Sequence, residues 1–287
     1  LSHGAEREKR AAALASLGAA VALTALKLIV GLLTGSLGIL AEAAHSGLDL
    51  AAALMTFLAV RYAGRPPDRT HLYGHGKMEN LSALGETLLL LATCLWIARD
   101  AVLRLLHHRA DVEVTVWSFA VMAVSIAVDF SRARVLSRAA RKHHSQALEA
   151  DALHFQTDVW SSAVVIAGLA AVGAGFWAAD AVAALGVCAV VAWVSGRLGR
   201  RTVDALLDTA PAGMEERIAR TVEAVPGVHN CHAIRLRYSG PVLFIDLHVL
   251  VDGRQTLFEA HRLTETIENA IGEIAPGADV TVHPEPV

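Results

Sequence analysis

Two apolar stretches of the sequence carry the same device, a histidine followed four positions later by an aspartate. His45 and Asp49 lie in AEAAHSGLDL, and His154 and Asp158 lie in DALHFQTDVW. In a helix that spacing puts both side chains on one face, a turn apart. Ionisable groups in a hydrocarbon surrounding are costly and by default functional. Two such faces turned toward each other would offer two imidazole nitrogens and two carboxylate oxygens, a tetrahedral donor set that suits Zn²⁺. A single membrane histidine bonded to a neighbouring helix, or a single aspartate paired with Lys27, would be ordinary. The repetition in two separate stretches favours a metal. Glu42, Glu86 and Asp129 have no matching partner and read as polar helix contacts or interfacial groups.

Two further clusters lie outside the apolar stretches. The segment PPDRTHLYGHGKMEN contains Asp68, His71 and His75. Spacings of three and four in a loop punctuated by Pro and Gly could wrap one ion, or the loop could simply be polar and solvated. The C-terminal part contains His229, His232, His248, His261 and His283. His232 and His248 fall on adjacent expected strands, His261 falls on an expected helix, and His283 stands just before Glu285. These residues could form a second metal site or be surface histidines.

The elements that must position these groups follow from composition. The chain has 287 residues, 54% hydrophobic and only 18% charged, whereas a soluble domain carries about a quarter charged residues. Six windows are long and apolar enough to span a hydrocarbon core of about 30 Å: residues 11–34, 38–62, 80–106, 113–136, 148–174 and 177–199. Gly35-Ser36-Leu37-Gly38 separates the first pair and Gly173-Ala174-Gly175 the last. The break from Ala63 to Glu79 holds Pro66-Pro67 and cannot be helical throughout. Charged Glu6 to Arg10 followed by an over-long apolar run is not a signal-peptide pattern.

Lys and Arg set the expected orientation. They gather at the N-terminus (Arg7, Lys9, Arg10), between spans two and three (Arg61, Arg65, Arg69, Lys77), between four and five (Arg132, Arg134, Arg138, Arg141, Lys142), and after span six (Arg197, Arg200, Arg201). With six spans all four groups share one side, so both termini are expected in the cytoplasm. The opposite side has only Arg109 nearby. A net charge of -3 with no basic stripe gives nucleic-acid binding no support. Cys94, Cys188 and Cys231 are scattered, which fits neither a disulfide scaffold nor a zinc ribbon.

Composition divides the chain in two. Residues 1–207 hold 19 basic and 16 acidic groups, and residues 208–287 hold 6 and 12 with no lysine. The first part is expected to be a six-helix transmembrane domain and the second a soluble cytoplasmic domain. Met214–Ala224 reads as an amphipathic helix, and His232–Arg237 and Leu243–Val251 as strands joined at Ser239-Gly240-Pro241. Thr256–Ile271 reads as a second helix and Asp279–His283 as a last strand. This α-β-β-α-β order makes a small ferredoxin-like α+β layer with helices on one sheet face.

With paired His/Asp motifs in spans two and five, the GHGK loop, and GPVLFIDLHV, AH and VTVHPEP in the tail, nearly all of residues 8–286 resembles the cation diffusion facilitator family. The resemblance is strongest to its bacterial YiiP-like, ferrous-iron efflux type zinc exporters. It implies a transport site of His45, Asp49, His154 and Asp158, and a loop site of Asp68, His71 and His75. It also implies a binuclear site at a dimer interface built from His232, His248, His261 and His283, with Glu285 in place of a bridging aspartate. Lys77 and Asp208 match a charged interlock between the halves of such dimers, with Asp204 close by. Two residues depart from the pattern. YiiP-like proteins place an aspartate where this chain has His45, and a second imidazole shifts preference toward Zn²⁺ and Cd²⁺ and away from Mn²⁺. Glu285 is one methylene longer than the aspartate it replaces.

The expectation is a homodimeric, multi-pass protein of the bacterial inner membrane that exports Zn²⁺, with Cd²⁺ a second cargo, in exchange for protons. Zn²⁺ would also occupy structural or regulatory positions. A membrane-embedded zinc enzyme would need an open metal position and a general base, typically HExxH, which is absent. A metal sensor merely anchored by its spans would have no use for an intramembrane ligand set.

Overall fold

The computed structural model describes residues 3–35, 37–107, 116–173 and 179–287. Six long helices come first: α1 (His3–Thr34), α2 (Leu37–Ala63), α3 (Lys77–His107), α4 (Val116–His143), α5 (Gln146–Gly173) and α6 (Ala179–Leu206). Helices α1, α2 and α3 enclose their expected windows (11–34, 38–62, 80–106) and run on past them, whereas the windows 113–136, 148–174 and 177–199 begin or end outside the described residues. Hydropathy follows the hydrocarbon thickness, whereas the backbone stays helical wherever its polar side chains find partners. The early turns of α1 are the clearest case. Lys9 is buried there, 2.7 Å from Glu79 of α3 and 2.8 Å from Glu6, and the Ser145 hydroxyl donates to the same Glu79 carboxylate. Arg109 and most of the Gly173-Ala174-Gly175 break lie outside the described residues, as do Ser36 and the Glu42 side chain.

Among the described residues, four helical segments are long and apolar enough by length and composition to cross a membrane: Gly4–Leu33, Ala43–Ala63, Lys77–Leu103 and Ala181–Leu206. Helices α4 and α5 carry Asp129, Arg132, Asp151, His154 and Asp158 and fall outside that group. Their ionisable groups turn inward. Arg132 reaches Asp129 at 3.2 Å and the Ser16 hydroxyl at 3.1 Å, and Ser16 donates to Asp151 at 3.2 Å. The Arg132 guanidinium lies 3.4 Å from the centroid of the buried Phe155 ring. Glu86 accepts a close hydrogen bond from Thr56. Glu86 and Asp129 are thus polar helix contacts. Helix α1 packs against α2 and α4, and α5 against α4 and α2. Small residues at these seams (Ala13, Ala133, Ala140, Ala147, Ala152) let the backbones approach.

The tail has α7 (Met214–Glu223), β1 (Asn230–Ser239), β2 (Val242–Val251), α8 (Leu257–Ile274) and β3 (Asp279–Pro286), in the expected order. β2 is central, antiparallel to β1 and parallel to β3. Alternation along β2 sends Leu243, Ile245, Leu247, Val249 and Val251 into a core with Ile218 and Val222 of α7 and Ile267 and Ile271 of α8. Thr256 caps α8 in a capping box with Glu259. The other sheet face carries Phe244, Asp246 and His248, and within the tail neither α7 nor α8 covers it.

The described chain divides into two compact units. One contains residues 2–65 and 78–203, and the other joins residues 66–77 to residues 204–287. Composition alone placed the 66–77 loop with the membrane body, but its packing places it with the tail. Tyr73 meets the Phe244 ring edge-on at 5.3 Å and lies 3.6 Å beneath the Arg237 guanidinium. Gly76 abuts the β1–β2 hairpin so closely that a Cβ there would fall 2.4 Å from the Ser239 carbonyl oxygen.

Candidate metal centres

Helices α2 and α5 bring Asp49, His154 and Asp158 together, one ligand atom from each lying within 4.8 Å of the others. His154 Nε2 is 3.0 Å from Asp49 Oδ1 and 3.7 Å from Asp158 Oδ2. With metal–ligand bonds near 2.1 Å, a tetrahedral site has ligand–ligand edges of about 3.4 Å, which these two distances straddle. His154 is almost wholly buried, and the buried Asp158 Oδ2 has no hydrogen-bond partner. A divalent ion would satisfy that oxygen. The fourth expected ligand stands apart: His45 Nε2 is 3.9 Å from Asp49 Oδ1 and lies outside the group of three. Its ring is 39% exposed against 5% for His154. It borders a cavity of about 590 Å³ walled also by Cys94, Asp100 and Cys188. Lys27 hydrogen-bonds to Ser46 at 2.8 Å, one turn before Asp49.

The loop cluster also closes. Asp68 carboxylate oxygens lie 3.3 Å from both His71 Nδ1 and His75 Nε2, and the two rings are 4.4 Å apart. Local turn chemistry holds the carboxylate: the backbone N–H groups of Thr70 and His71 and the Thr70 hydroxyl all donate to Asp68 Oδ1. Those bonds, the His71 N–H first, hold the Asp68 carboxyl well below the usual carboxylate range. The group therefore stays anionic and aimed as acid chemistry requires of a metal ligand.

On the tail sheet, register does the positioning. His232, His248 and His283 are cross-strand partners in one row over β1, β2 and β3, on the face away from α7 and α8. Glu285, two positions along β3, returns to the same face. Its carboxylate lies 2.9 Å from His248 Nδ1 and 3.3 Å from His232 Nε2. The hydrogen bond with His248 is the main reason its carboxyl sits below the ordinary range. His283 is farther, 3.8 Å from Glu285, and its ring is 4.8 Å from that of His248. His261 is not brought to this group within the chain. It is exposed on α8, and its carboxylate neighbour is Glu265 at 3.7 Å, one turn on. His229 sits at the strand edge, its N–H donating to the Leu250 carbonyl. Cys231 points to the opposite face, and burial pushes its thiol up to about 11, so it remains protonated inside the core.

Both parts of the chain match domains known from other proteins. Residues 13–207 match the cation efflux transmembrane domain, and residues 210–287 match the cation efflux protein cytoplasmic domain. The chain belongs to the cation efflux family. A cation-efflux pump FieF from Pectobacterium atrosepticum is 35% identical over 96% of this chain and 92% of its own. One from Yersinia enterocolitica is 36% identical over the same shares. A solved, point-substituted form of the MamM C-terminal domain is 30% identical, with a TM-score of 0.25, over 25% of this chain and 92% of that one. The relatives are transporters rather than enzymes, and this cation efflux protein is accordingly a multi-pass membrane protein.

In this family member the charged pair expected from resemblance lies within one chain. Lys77, at the start of α3, donates to Asp208 at 2.7 Å and to the Leu206 carbonyl at the end of α6 at 3.3 Å. A cation beside terminal carbonyls complements the helix dipole. Asp204 is not its partner; the Asp204 carbonyl accepts the Thr209 N–H. As a partly exposed pair it is worth about 0–1 kcal/mol, so it aligns rather than anchors. The Tyr73, Arg237 and Phe244 stack was missed from sequence. Its one signal was an aromatic residue midway between the loop's candidate ligands.

Proposed function

We propose that this protein exports Zn²⁺ from the bacterial cytoplasm in exchange for protons, as a homodimer in the inner membrane with six spans and both termini cytoplasmic. In this reading residues 1–207 form the transport domain and residues 208–287 the cytoplasmic one. The observation that carries it is the intramembrane cluster of Asp49, His154 and Asp158. His45 completes a set of two imidazoles and two carboxylates by a change of rotamer, since it already stands one helical turn from Asp49. Metal binds only neutral imidazole and ionised carboxylate, so Zn²⁺ and protons compete for the same side chains. Facing inward, the site takes metal and sheds protons; facing outward, protonation releases the metal. Alternation between the two states couples the flows.

The cytoplasmic clusters at Asp68, His71, His75 and at His232, His248, His283, Glu285 would hold Zn²⁺ as regulatory ions. His261 would reach such a site only from a partner subunit or after rearrangement. A membrane-anchored sensor would bind metal without moving it. The deciding experiment is flux into proteoliposomes of Zn²⁺, Cd²⁺, Co²⁺, Fe²⁺ and Mn²⁺, with internal pH followed at the same time. Zn²⁺ movement with countermoving protons supports the reading; metal binding without flux overturns it.

Selectivity should follow ligand type. His45→Asp exchanges an imidazole for a carboxylate, and Mn²⁺ or Fe²⁺ flux should rise several-fold relative to Zn²⁺. An unchanged rank order in competition flux would mean that site geometry, not ligand chemistry, sets the choice.

A further inference from the structure

Along the outer seam of α4 and α5 runs a groove of about 560 Å³ whose lining changes character from one end to the other. At one end it is formed by Phe130, Val159, Trp160 and Ala163, and at the other by Arg134, Arg138 and Arg141. The arginines stand at i, i+4 and i+7, so they form one stripe on α4. All three are exposed, and none has a carboxylate partner among the described residues. The nearby acids are engaged elsewhere: Glu149 by Arg201 at 2.6 Å, Asp129 by Arg132 and Glu8 by Lys142. The Arg134 guanidinium lies 4.9 Å from the Phe130 ring centroid, marking where charge gives way to apolar surface. Trp160 and Phe130 are 65% and 51% exposed.

The metal sites use none of these residues. On α5 the groove takes Gln156, Val159, Trp160 and Ala163, while His154 and Asp158 lie on the inward face. The groove floor is closed by Gln156 donating to the Ser137 hydroxyl at 3.0 Å.

We propose that this groove is a binding site for one anionic glycerophospholipid, with its phosphate on Arg138 and Arg141 and an acyl chain along Phe130, Val159, Trp160 and Ala163. Phe130 to Arg141 spans about 16 Å of helix at 1.5 Å per residue, enough for a headgroup, glycerol and the upper part of a chain. Unpaired arginines at the membrane boundary favour an anionic headgroup over a zwitterionic one, and their planar donors match phosphate oxygens. A free phosphate would leave the aromatic half of the groove unused, which is why the lipid is the occupant. The site requires only that the chain lies in a membrane, not that its cargo is zinc.

The test uses the full-length protein in detergent, titrated with short-chain phosphatidylglycerol or phosphatidylcholine, bound lipids being counted by native mass spectrometry. Tighter retention of one phosphatidylglycerol is expected. Arg138→Gln should weaken it about fivefold, and Arg138→Gln with Arg141→Gln about twenty-five-fold if the two act independently. Trp160→Ser should weaken it without altering charge, which covers the case of an unstable arginine variant. Equal retention of both lipids, full phosphatidylglycerol binding by the double variant, or displacement of the lipid by millimolar inorganic phosphate would each overturn the proposal.

Discussion

Asp49→Ala and Asp158→Ala are each expected to reduce Zn²⁺ flux to the level of empty liposomes while leaving the protein folded. Removing a group that merely orients a metal ligand costs about 10–100-fold in affinity or activity, and these substitutions remove a ligand itself. Loss should therefore exceed a hundredfold. Stability should survive because the carboxylates do little else. Asp158 Oδ2 has no hydrogen-bond partner, and Asp49 bonds only His154 among the described contacts. Removing either carboxylate still leaves buried His154 the other as an acidic neighbour, so the imidazole is not stranded and the fold should persist in the absence of metal. Flux and metal-free melting, measured on the same preparations, separate the roles. Flux above half the parental value in either variant would remove the residue from the site. His154→Ala is the harsher change, since it leaves Asp49 and Asp158 facing each other with no imidazole between them.

The intramembrane cluster was legible because two facts of local geometry suffice for it: helical period puts i and i+4 on one face, and hydrocarbon penalises idle charge. Which helices meet is not local, so the sequence could offer the α2–α5 pairing only as a supposition, and His45 at 3.9 Å shows how one rotamer escapes it. The loop cluster was ambiguous from spacing alone. What spacing did not show is the turn at Thr70, whose hydroxyl and N–H hold the Asp68 carboxylate beside the two imidazoles. On the tail, the sequence put His232 and His248 on adjacent strands and His283 just before Glu285, but register depends on pairing partners far along the chain. His261 illustrates the limit. Helix α8 packs on the opposite face of the sheet from the histidine row, with its buried side toward the core. Helix ends were the other loss, because the buried Lys9 in the early turns of α1 is matched not only by Glu6 nearby but by Glu79, seventy residues away.

The isolated 208–287 segment is expected to dimerise far more tightly with Zn²⁺ than without it. It has its own core, with Ile245, Val249, Ile267 and Ile271 wholly buried, so it should fold alone. Its 6 basic and 12 acidic residues give each copy a net charge of -6, and two copies brought together repel. Ions on His232, His248, His283 and Glu285 add positive charge to the sheet face away from α7 and α8, and coordination positions left open by one chain can be filled from the other. A ligand that binds only the assembled state stabilises it by about 2.7 kcal/mol at a hundredfold excess over its dissociation constant, roughly a hundredfold in dimer affinity for each ion. The effect should fade on acidification. Glu285 remains ionised there, because the His248 hydrogen bond holds its carboxyl low. Metal needs neutral imidazole, so protons compete with it and the gain should shrink as the pH falls. Sedimentation at neutral and mildly acidic pH, with and without Zn²⁺, gives the measurement. His248→Ala, which removes the middle of the row, should abolish the zinc response but leave the metal-free affinity unchanged. Equal dimer affinity with and without Zn²⁺ would reduce these residues to surface histidines and leave the exporter without a zinc-sensing tail.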